Sequence, residues 1–208
     1  MIKDEIPEVV ITRLPWYLQT LNQMAKEGLH TISSQTLAAR LGTTAAQIRK
    51  DLSYFGGFGK QGAGYPIYNL IEELQKILNL DRIWQVAVVG AGSLGRAIVR
   101  YPGFSRRGIE ISLLFDIDSK YVGTQVGSLI IQHIDYLEEE IQHSGIMIGI
   151  LTVPAAVAQE IADRMVNAGI RAILNYAPIP LILPESVRTK QINPVLELQG
   201  MMYYLNGD

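Results

Sequence analysis

The chain has 208 residues, of which 48% are hydrophobic and 18% charged, so it can bury one large core or two small ones. The absence of cysteine excludes disulfides, thiolate chemistry and cysteine-ligated zinc, and the formal net charge of −2 excludes a protein coated in basic charge. Acidic residues near the N-terminus do not fit a signal peptide, and no window approaches the roughly 20 apolar residues of a membrane span, so we expect a cytoplasmic protein.

Helical patterns dominate the first part of the chain. Apolar residues spaced by three and four predict an amphipathic helix from Leu14 to Lys26. A serine pair then offers the N-cap of a second helix, which Gly42 ends. Thr44 with Gln47 forms a capping box that opens a third helix. The sequence therefore predicts two helices joined by a tight glycine turn.

A glycine-rich segment follows this helix pair. Residues 56–64 hold five glycines in nine positions, too many for a helix interior, so we predict a short hairpin, or wing. A further amphipathic helix is predicted over residues 68–80. We therefore expect a winged-helix, DNA-binding domain over residues 1–83.

Charge and side-chain chemistry also favour DNA binding by this part of the chain. The basic residues of segment 30–64 outnumber its single acid, Asp51, and Ile48 and Leu52 give the third helix a buried face. Its remaining residues are those that contact base edges and phosphates, although a solvated helix with ordinary surface charge explains any one of them. The candidate DNA-binding residues are Thr44, Gln47, Arg49, Lys50 and Lys60.

From Val86 onward, apolar strands alternate with amphipathic helices, which indicates an α/β domain with a parallel sheet covered on both faces. We assign residues 84–192 to this Rossmann-type domain. Residues 193–208 form a last segment with an apolar helical stripe. Composition leaves open whether that helix packs on its own domain or on a partner subunit.

The predicted nucleotide site is a glycine motif. Gly90, Gly92 and Gly95 follow an apolar strand and open a helix, where they permit a tight turn, a close approach by pyrophosphate and close helix–strand packing. Asp116 ends the next strand, where a carboxylate accepts hydrogen bonds from ribose hydroxyls and repels a 2′-phosphate, which favours NAD(H) over NADP(H). Asp118 could share this role, but a turn acid is its simpler interpretation.

Two further strand ends supply candidates for the nicotinamide side. Thr152, Pro154 and Asn175 follow apolar strands, where open α/β sheets bind ligands, although helix capping and turn formation explain the same residue types. The full set of cofactor-binding candidates is Gly90, Ala91, Gly92, Ser93, Leu94, Gly95, Tyr101, Asp116, Thr152, Pro154 and Asn175.

Residues for catalysis are scarce. Of the three histidines, His30 lies in the DNA-binding half, while His133 and His143 flank a short acidic helix. No tyrosine is followed by lysine four positions later, as in short-chain dehydrogenases. We therefore predict binding without turnover and no metal site. The alternatives are an NAD-dependent oxidoreductase with a helical N-terminal decoration, and a regulator that binds a coenzyme A derivative.

Several strings of the sequence, in order and spacing, resemble the Rex family of redox-sensing transcriptional repressors. They are TAAQIRKDLSYFGGFGKQGAGY, VVGAGSLGRAI, FDIDSKYVG, ILTVP and AGIRAILNYAP, and the similarity runs from about Ile11 to Leu205. The resemblance implies a homodimer on an inverted-repeat operator, released from DNA by NADH, with a swapped C-terminal helix. It also implies DNA contacts by Arg49, Lys50 and Lys60, and places Tyr101 near the nicotinamide.

Two positions depart most from the family's pattern, and Tyr176, where phenylalanine is usual, is a milder change. Gln61 stands in the wing where arginine is usual, which removes a charge suited to a narrow minor groove. Asn193 stands where an aspartate is common before the C-terminal helix, so any link from it to Arg13 would be a neutral hydrogen bond. We expect these changes to weaken DNA affinity and the bias of the switch.

Overall fold

The computed structural model describes residues 6–56, 58 and 64–205, and the chain divides into two compact units, residues 1–82 and 83–208. The described residues of the first unit form helices α1 (Glu8–Lys26), α2 (Ser34–Leu41), α3 (Ala45–Ser53) and α4 (Ile67–Ile77), with short strands β1 (Thr31–Ile32) and β2 (Tyr65–Pro66). All four helices contribute to one apolar core, which includes Leu14, Leu21, Met24, Leu37, Ile48, Leu70 and Leu74.

Helix α1 begins at Glu8, six residues before the start that the apolar spacing predicts, so that boundary was wrong. Pro15 lies inside the helix, and a proline there removes one backbone hydrogen bond. Contacts outside the helix stabilise its first turns instead. Val10 is 3% exposed, and the Arg13 side chain bonds to α3.

The predicted caps of α2 and α3 are confirmed. The Ser33 hydroxyl accepts a hydrogen bond from the Thr36 amide at 3.1 Å, and α2 ends at Gly42 in the left-handed conformation. The Thr44 hydroxyl accepts from the Gln47 amide at 3.1 Å. The return half of the capping box is missing, because the Gln47 side chain bonds within α3 instead.

Strands β1 and β2 pair antiparallel, with Ile32 opposite Tyr65, a pairing that the sequence pattern did not predict. The predicted wing lies between α3 and β2. Its positions 57 and 59–63, which include Lys60 and Gln61, lie outside the described residues. The wing therefore stays a prediction.

The second unit is built on a parallel sheet, as predicted. Its strands are β3 (Trp84–Val89), β4 (Ile109–Asp116), β7 (Gln132–His133), β8 (Ile148–Leu151), β9 (Ala172–Asn175) and β10 (Arg188–Gln191), in the order β10-β9-β8-β3-β4-β7. A small antiparallel pair, β5 (Gln125–Val126) and β6 (Leu129–Ile130), lies outside this sheet. The helices are α5 (Ser93–Arg100), α6 (Leu137–Ser144), α7 (Ala155–Ala168) and α8 (Pro194–Met202).

Strand β3 organises both faces of the sheet. Its side chains alternate, so Ala87 and Val89 belong to the core that includes α6 and α7, while Val86 and Val88 belong to the core that includes Ile98 of α5. Strand β4 lies on one side of β3, and β8 lies on the other. The carboxyl end of β3 is thus the topological switch point, where such sheets bind ligands.

The C-terminal segment has an exposed apolar surface. Within the described part of α8 and the single 3-10 turn after it, no residue is buried. Leu198 is 55% exposed, Met201 62% and Tyr204 82%. Composition left open whether this helix packs on its own domain or on a partner subunit. In the single chain, it does not pack on its own domain.

Candidate nucleotide and DNA sites

Backbone packing requires two of the three motif glycines. Gly90 has a φ of 101°, and a Cβ there would lie 2.6 Å from the Thr152 carbonyl oxygen. A Cβ on Gly95 would lie 1.9 Å from the Gly90 oxygen. Gly92 differs, because a Cβ there would meet nothing within 4 Å. The space beside Gly92 is therefore open, as the approach of a phosphate requires.

The N-terminus of α5 faces this open space. Gly92 is its N-cap, and no side chain caps the helix. Ser93 and Leu94 in the first turn are exposed. The first amides of a helix lack internal acceptors and carry a partial positive charge, so this end suits a pyrophosphate.

Asp116, at the end of β4, is fixed beside the glycine loop. Its Oδ2 accepts a hydrogen bond from the Ala91 amide, and its Oδ1 accepts one from the Asp118 amide at 2.8 Å. A carboxylate has about four acceptor positions, so capacity for two ribose hydroxyls is left. The Asp118 carboxylate accepts from the Lys120 amide at 2.9 Å, which supports its interpretation as a turn acid.

Arg96 is a neighbour of this site that sequence reasoning missed. Its Nη1 donates to the Ala91 carbonyl at 2.7 Å, and its guanidinium lies 4.5 Å from the centre of the Tyr121 ring. Ala91 is thus held through its oxygen by Arg96 and through its amide by Asp116. The available signal was an arginine directly after the third glycine.

Thr152 and Pro154 have structural roles at the end of β8. The Thr152 hydroxyl lies within hydrogen-bonding distance of the carbonyl oxygens of Val89, at 3.0 Å, and Gly90, at 2.8 Å. Pro154 is the N-cap of α7. Thr152 therefore holds the glycine loop against the neighbouring strand.

Asn175, a candidate for the nicotinamide side, uses its side-chain amide for hydrogen bonds within the protein. It is fully buried, and its amide nitrogen donates to the Ile179 oxygen at 2.9 Å and to Gln191 Oε1 at 2.6 Å. Its Oδ1 accepts from the Ala177 amide at 2.9 Å. Both amide hydrogens are used internally, so the side chain shapes the loop after β9.

Tyr101, at the end of α5, is available to a ligand or partner. It is 59% exposed, and its ring packs edge-on to Phe104 with centroids 5.7 Å apart. The same ring covers Gly103, where a Cβ would lie 2.1 Å from it. The ring thus packs against Phe104 and Gly103, while most of its surface stays accessible.

Four of the five DNA-binding candidates lie on α3 or at its N-cap. Lys50 and Arg49 are exposed, and Arg49 Nη1 donates to the Ser34 hydroxyl of α2 at 3.0 Å. Thr44 is exposed at the N-cap, and Gln47 is half-buried. The fifth candidate, Lys60, lies outside the described residues, as noted above.

The largest feature that sequence reasoning missed is an ion pair between Arg13 of α1, which is partly exposed, and the buried carboxylate of Asp51 in α3. Asp51 is fully buried, and its carboxylate accepts from Arg13 Nε at 2.6 Å, Arg13 Nη2 at 2.7 Å, the Tyr17 hydroxyl and Gln47 Nε2 at 2.7 Å. Burial acts to raise the pKa of Asp51, but these hydrogen bonds outweigh it and lower that pKa. Burial and the bond to Asp51 raise the pKa of Tyr17, which keeps its hydroxyl protonated.

Arg13 and Asn193 each have a hydrogen-bond partner within their own unit. Arg13 bonds to Asp51, and the Asn193 side chain caps α8 by accepting from the Val195 amide at 3.1 Å. A direct link between them stays a prediction.

None of the helices in the described ranges combines the length and hydrophobicity that a membrane span requires.

Comparison with known proteins agrees with this two-part arrangement. A family model described as "Putative DNA-binding protein N-terminus" matches residues 5–53, and a CoA binding domain model matches residues 81–179. A redox-sensing transcriptional repressor Rex from Chloroflexus aggregans is 49% identical, over 97% of this chain and 95% of its own.

Solved structures of RSP, a Rex-family repressor, are also similar. RSP in complex with β-NAD+ and operator DNA has a TM-score of 0.93 and 39% identity, over 97% of this chain and 93% of that one. RSP in complex with β-NADH has a TM-score of 0.88 and 37% identity, over 97% and 95%. With such identity over nearly its whole length, the chain belongs to the Rex family of redox-sensing transcriptional repressors.

Proposed function

We propose that this protein is a transcriptional repressor that binds operator DNA through its helical unit and leaves the DNA when NADH binds its Rossmann unit. The observation that carries the proposal is the uncapped N-terminus of α5, open at Gly92, with the Asp116 carboxylate held beside it. These features provide for the pyrophosphate and ribose of NAD(H). RSP binds NAD+, NADH and operator DNA in its solved structures, which supports the same ligands here.

The proposed NAD(H) site extends from the glycine loop to the neighbouring strand ends. Asp116 accepts hydrogen bonds from the ribose hydroxyls, and its charge repels the 2′-phosphate of NADP(H). Tyr101 is the candidate beside the nicotinamide, as the resemblance to the Rex family implies, and its exposed ring at the C-terminal end of α5 is accessible to a ligand. Thr152 acts on the ligand through the glycine loop that it holds.

The proposed DNA contacts come from α3 and the wing. The N-terminal residues of such a helix contact base edges in the major groove; Thr44 and Gln47 occupy these positions, and Arg49 and Lys50 follow later on the same helix. Lys60 in the wing is placed to contact phosphate or the minor groove.

We further propose that residues 193–208 form the dimer contact. An inverted-repeat operator requires a protein with matching twofold symmetry. Helix α8 supplies an apolar surface that its own chain leaves exposed, and a second copy is the partner that symmetry demands. The homodimer works in the cytoplasm, where DNA and the NAD pool meet.

The switch is a two-state equilibrium of this dimer. One arrangement of the DNA-binding units matches both half-sites, and NADH binds the other arrangement more tightly. A ligand shifts such a balance only by its differential affinity, and about 1–3 kcal/mol of coupling changes DNA affinity by roughly 5- to 150-fold.

The test is fluorescence anisotropy on a labelled inverted-repeat operator at one stated salt concentration, without ligand, with NAD+ and with NADH. We expect specific binding that only NADH abolishes. If saturating NADH binds the protein and leaves operator affinity unchanged, the proposed switch is wrong.

A coenzyme A derivative is the second candidate ligand, because a CoA binding domain model matches residues 81–179. Coenzyme A carries a phosphate on its ribose, which the Asp116 carboxylate would repel. Competition between NADH and coenzyme A for the protein separates the two candidates. Displacement of NADH by equimolar coenzyme A would favour the second.

A further inference from the structure

Among the DNA-binding candidates that the structure describes, Gln47 is the one whose side chain is bonded to a buried charge. Its Nε2 donates to Asp51 Oδ1 at 2.7 Å, while its backbone amide donates to the Thr44 hydroxyl at 3.1 Å. Main chain and side chain are therefore both fixed before any DNA is bound.

The chemistry of Asp51 decides which way the Gln47 amide faces. An ionised carboxylate only accepts hydrogen bonds, so it must face the amide nitrogen and not the amide oxygen. The four donors from Arg13, Tyr17 and Gln47 fill the roughly four acceptor positions of this carboxylate. A reversed amide would place Oε1 against a carboxylate oxygen, where two acceptors repel each other.

The cluster is held in place from α1. Arg13 neutralises Asp51 with two hydrogen bonds, and the Tyr17 hydroxyl adds a third from the same helix. A buried carboxylate paired and bonded in this way is costly to move, because any movement leaves a buried charge unpaired. The position of the Gln47 amide is therefore set by α1 as well as by α3.

The groups left to Gln47 are the acceptor Oε1 and one N–H. In the major groove, adenine offers the matching pair, an N6 amino donor and the N7 acceptor. Cytosine offers only an N4 donor, and guanine offers only acceptors. Gln47 lies in the first turn of α3, which is the part of such a helix that contacts base edges.

We propose that Asp51 is a positioning residue for sequence recognition: by holding Gln47 Nε2, it presents Oε1 and one N–H to an adenine of each operator half-site. This inference rests on the proposed operator binding and names the base that one side chain of that site selects. Asp51 itself is fully buried and does not contact DNA.

The experiment measures anisotropy Kd values for operators in which each base pair of the half-site is replaced in turn. The unaltered protein should discriminate one adenine by roughly 5- to 150-fold, the range for a bidentate base contact. Gln47→Ala should remove the discrimination at that position and leave it unchanged at the others. Gln47→Glu keeps an acceptor but puts a second carboxylate against Asp51, where the two charges repel, so it should lose the preference for adenine at that position as Gln47→Ala does.

Asp51→Asn tests the positioning role directly. Asparagine offers both a donor and an acceptor to Gln47, so the amide can reverse and the preference for adenine over other bases should fall at that position alone. The control is Ser33→Ala, which removes the N-cap hydrogen bond of α2 and none of the hydrogen bonds to Asp51. It should lower the midpoint of thermal unfolding and keep the base preference.

The outcomes are separable. If the unaltered protein binds no operator specifically, the proposed function fails before this inference is reached. If it binds specifically, but Gln47→Ala and Gln47→Glu leave every base preference unchanged, the inference is overturned. A uniform loss of affinity in Asp51→Asn, equal at all positions, would show a purely structural role for Asp51.

Discussion

A methyl group added at Gly95 should destabilise the dinucleotide-binding unit. Its Cβ would lie 1.9 Å from the Gly90 oxygen, whereas Cβ contacts under 3.0 Å are essentially never seen. Helix α5 would therefore have to move from the glycine loop by about 1 Å, the difference between these distances. Overpacking of this kind costs about 1–3 kcal/mol. Each kcal/mol lowers Tm by about 2–4 °C in a chain of this size, which calorimetry of Gly95→Ala would measure.

Gly92→Ala is the matched control, because it adds the same methyl group three residues earlier. Gly92 has a φ of −62°, and its Cβ would meet no atom within 4 Å. A weaker N-cap offsets the gain of about 0.4–1 kcal/mol from a less flexible unfolded chain, so Tm should hardly change. The methyl group would occupy the phosphate's approach, and NADH affinity measured by calorimetry should fall by roughly tenfold or more, the effect of losing one charge-assisted hydrogen bond. A Tm for Gly95→Ala equal to that of the unaltered protein, or full NADH affinity in Gly92→Ala, would refute this reasoning.

Three further changes test other parts of the structure. Asp116→Ala should weaken NADH binding by roughly 10- to 150-fold, the effect of losing a charged hydrogen-bond acceptor, and unchanged affinity in a calorimetric titration would favour the coenzyme A alternative. Burial acts to raise the pKa of Asp51, but its hydrogen bonds lower it below the ordinary 3.8, so its stabilisation is complete above that pH and is lost as pH falls through the lowered value. Acid unfolding followed by circular dichroism should therefore lose steepness below about pH 3.8 in Asp51→Asn. Leu198→Asp on α8 should shift the protein from dimer to monomer in sedimentation velocity, whereas Glu197→Gln on the same helix should not; a dimeric Leu198→Asp protein would contradict our placement of the interface.

Much of the fold could be predicted from local patterns. The apolar strands β3, β4, β8 and β9 and the helices between them were indicated by periodicity, because burial on a sheet or helix face repeats along the chain. Caps at Ser33 and Thr44 were indicated for the same kind of reason, since a cap bonds within three residues of itself. The glycine motif likewise predicted the tight loop. The structure shows why glycine is needed there, because a Cβ at Gly90 or Gly95 would clash with backbone atoms.

Edge strands escaped prediction because their evidence lies elsewhere in the chain. The side chains of β10, Arg188 to Gln191, are mostly exposed and have no apolar pattern, so only pairing with β9 makes this segment a strand. Strand β1 depends in the same way on β2, across more than thirty residues. Such strands are defined by hydrogen bonds to a partner that is distant in the chain, and local sequence patterns carry no information about that partner.

The sequence by itself determined the helix pair, the parallel sheet and the chemistry of the glycine loop, because each depends on residues close together in the chain. Only the tertiary structure decided the roles of Asp51, Gln47 and Asn175. Asp51 is an ordinary helix acid by sequence, yet it meets Arg13 across 38 residues and becomes a buried acceptor. Asn175 was a ligand candidate by sequence, but in the structure its amide nitrogen donates to the loop after β9 and to Gln191 of β10. Burial and hydrogen-bond partners arise from the folded arrangement of distant segments, and they decide which polar groups are left free to bind.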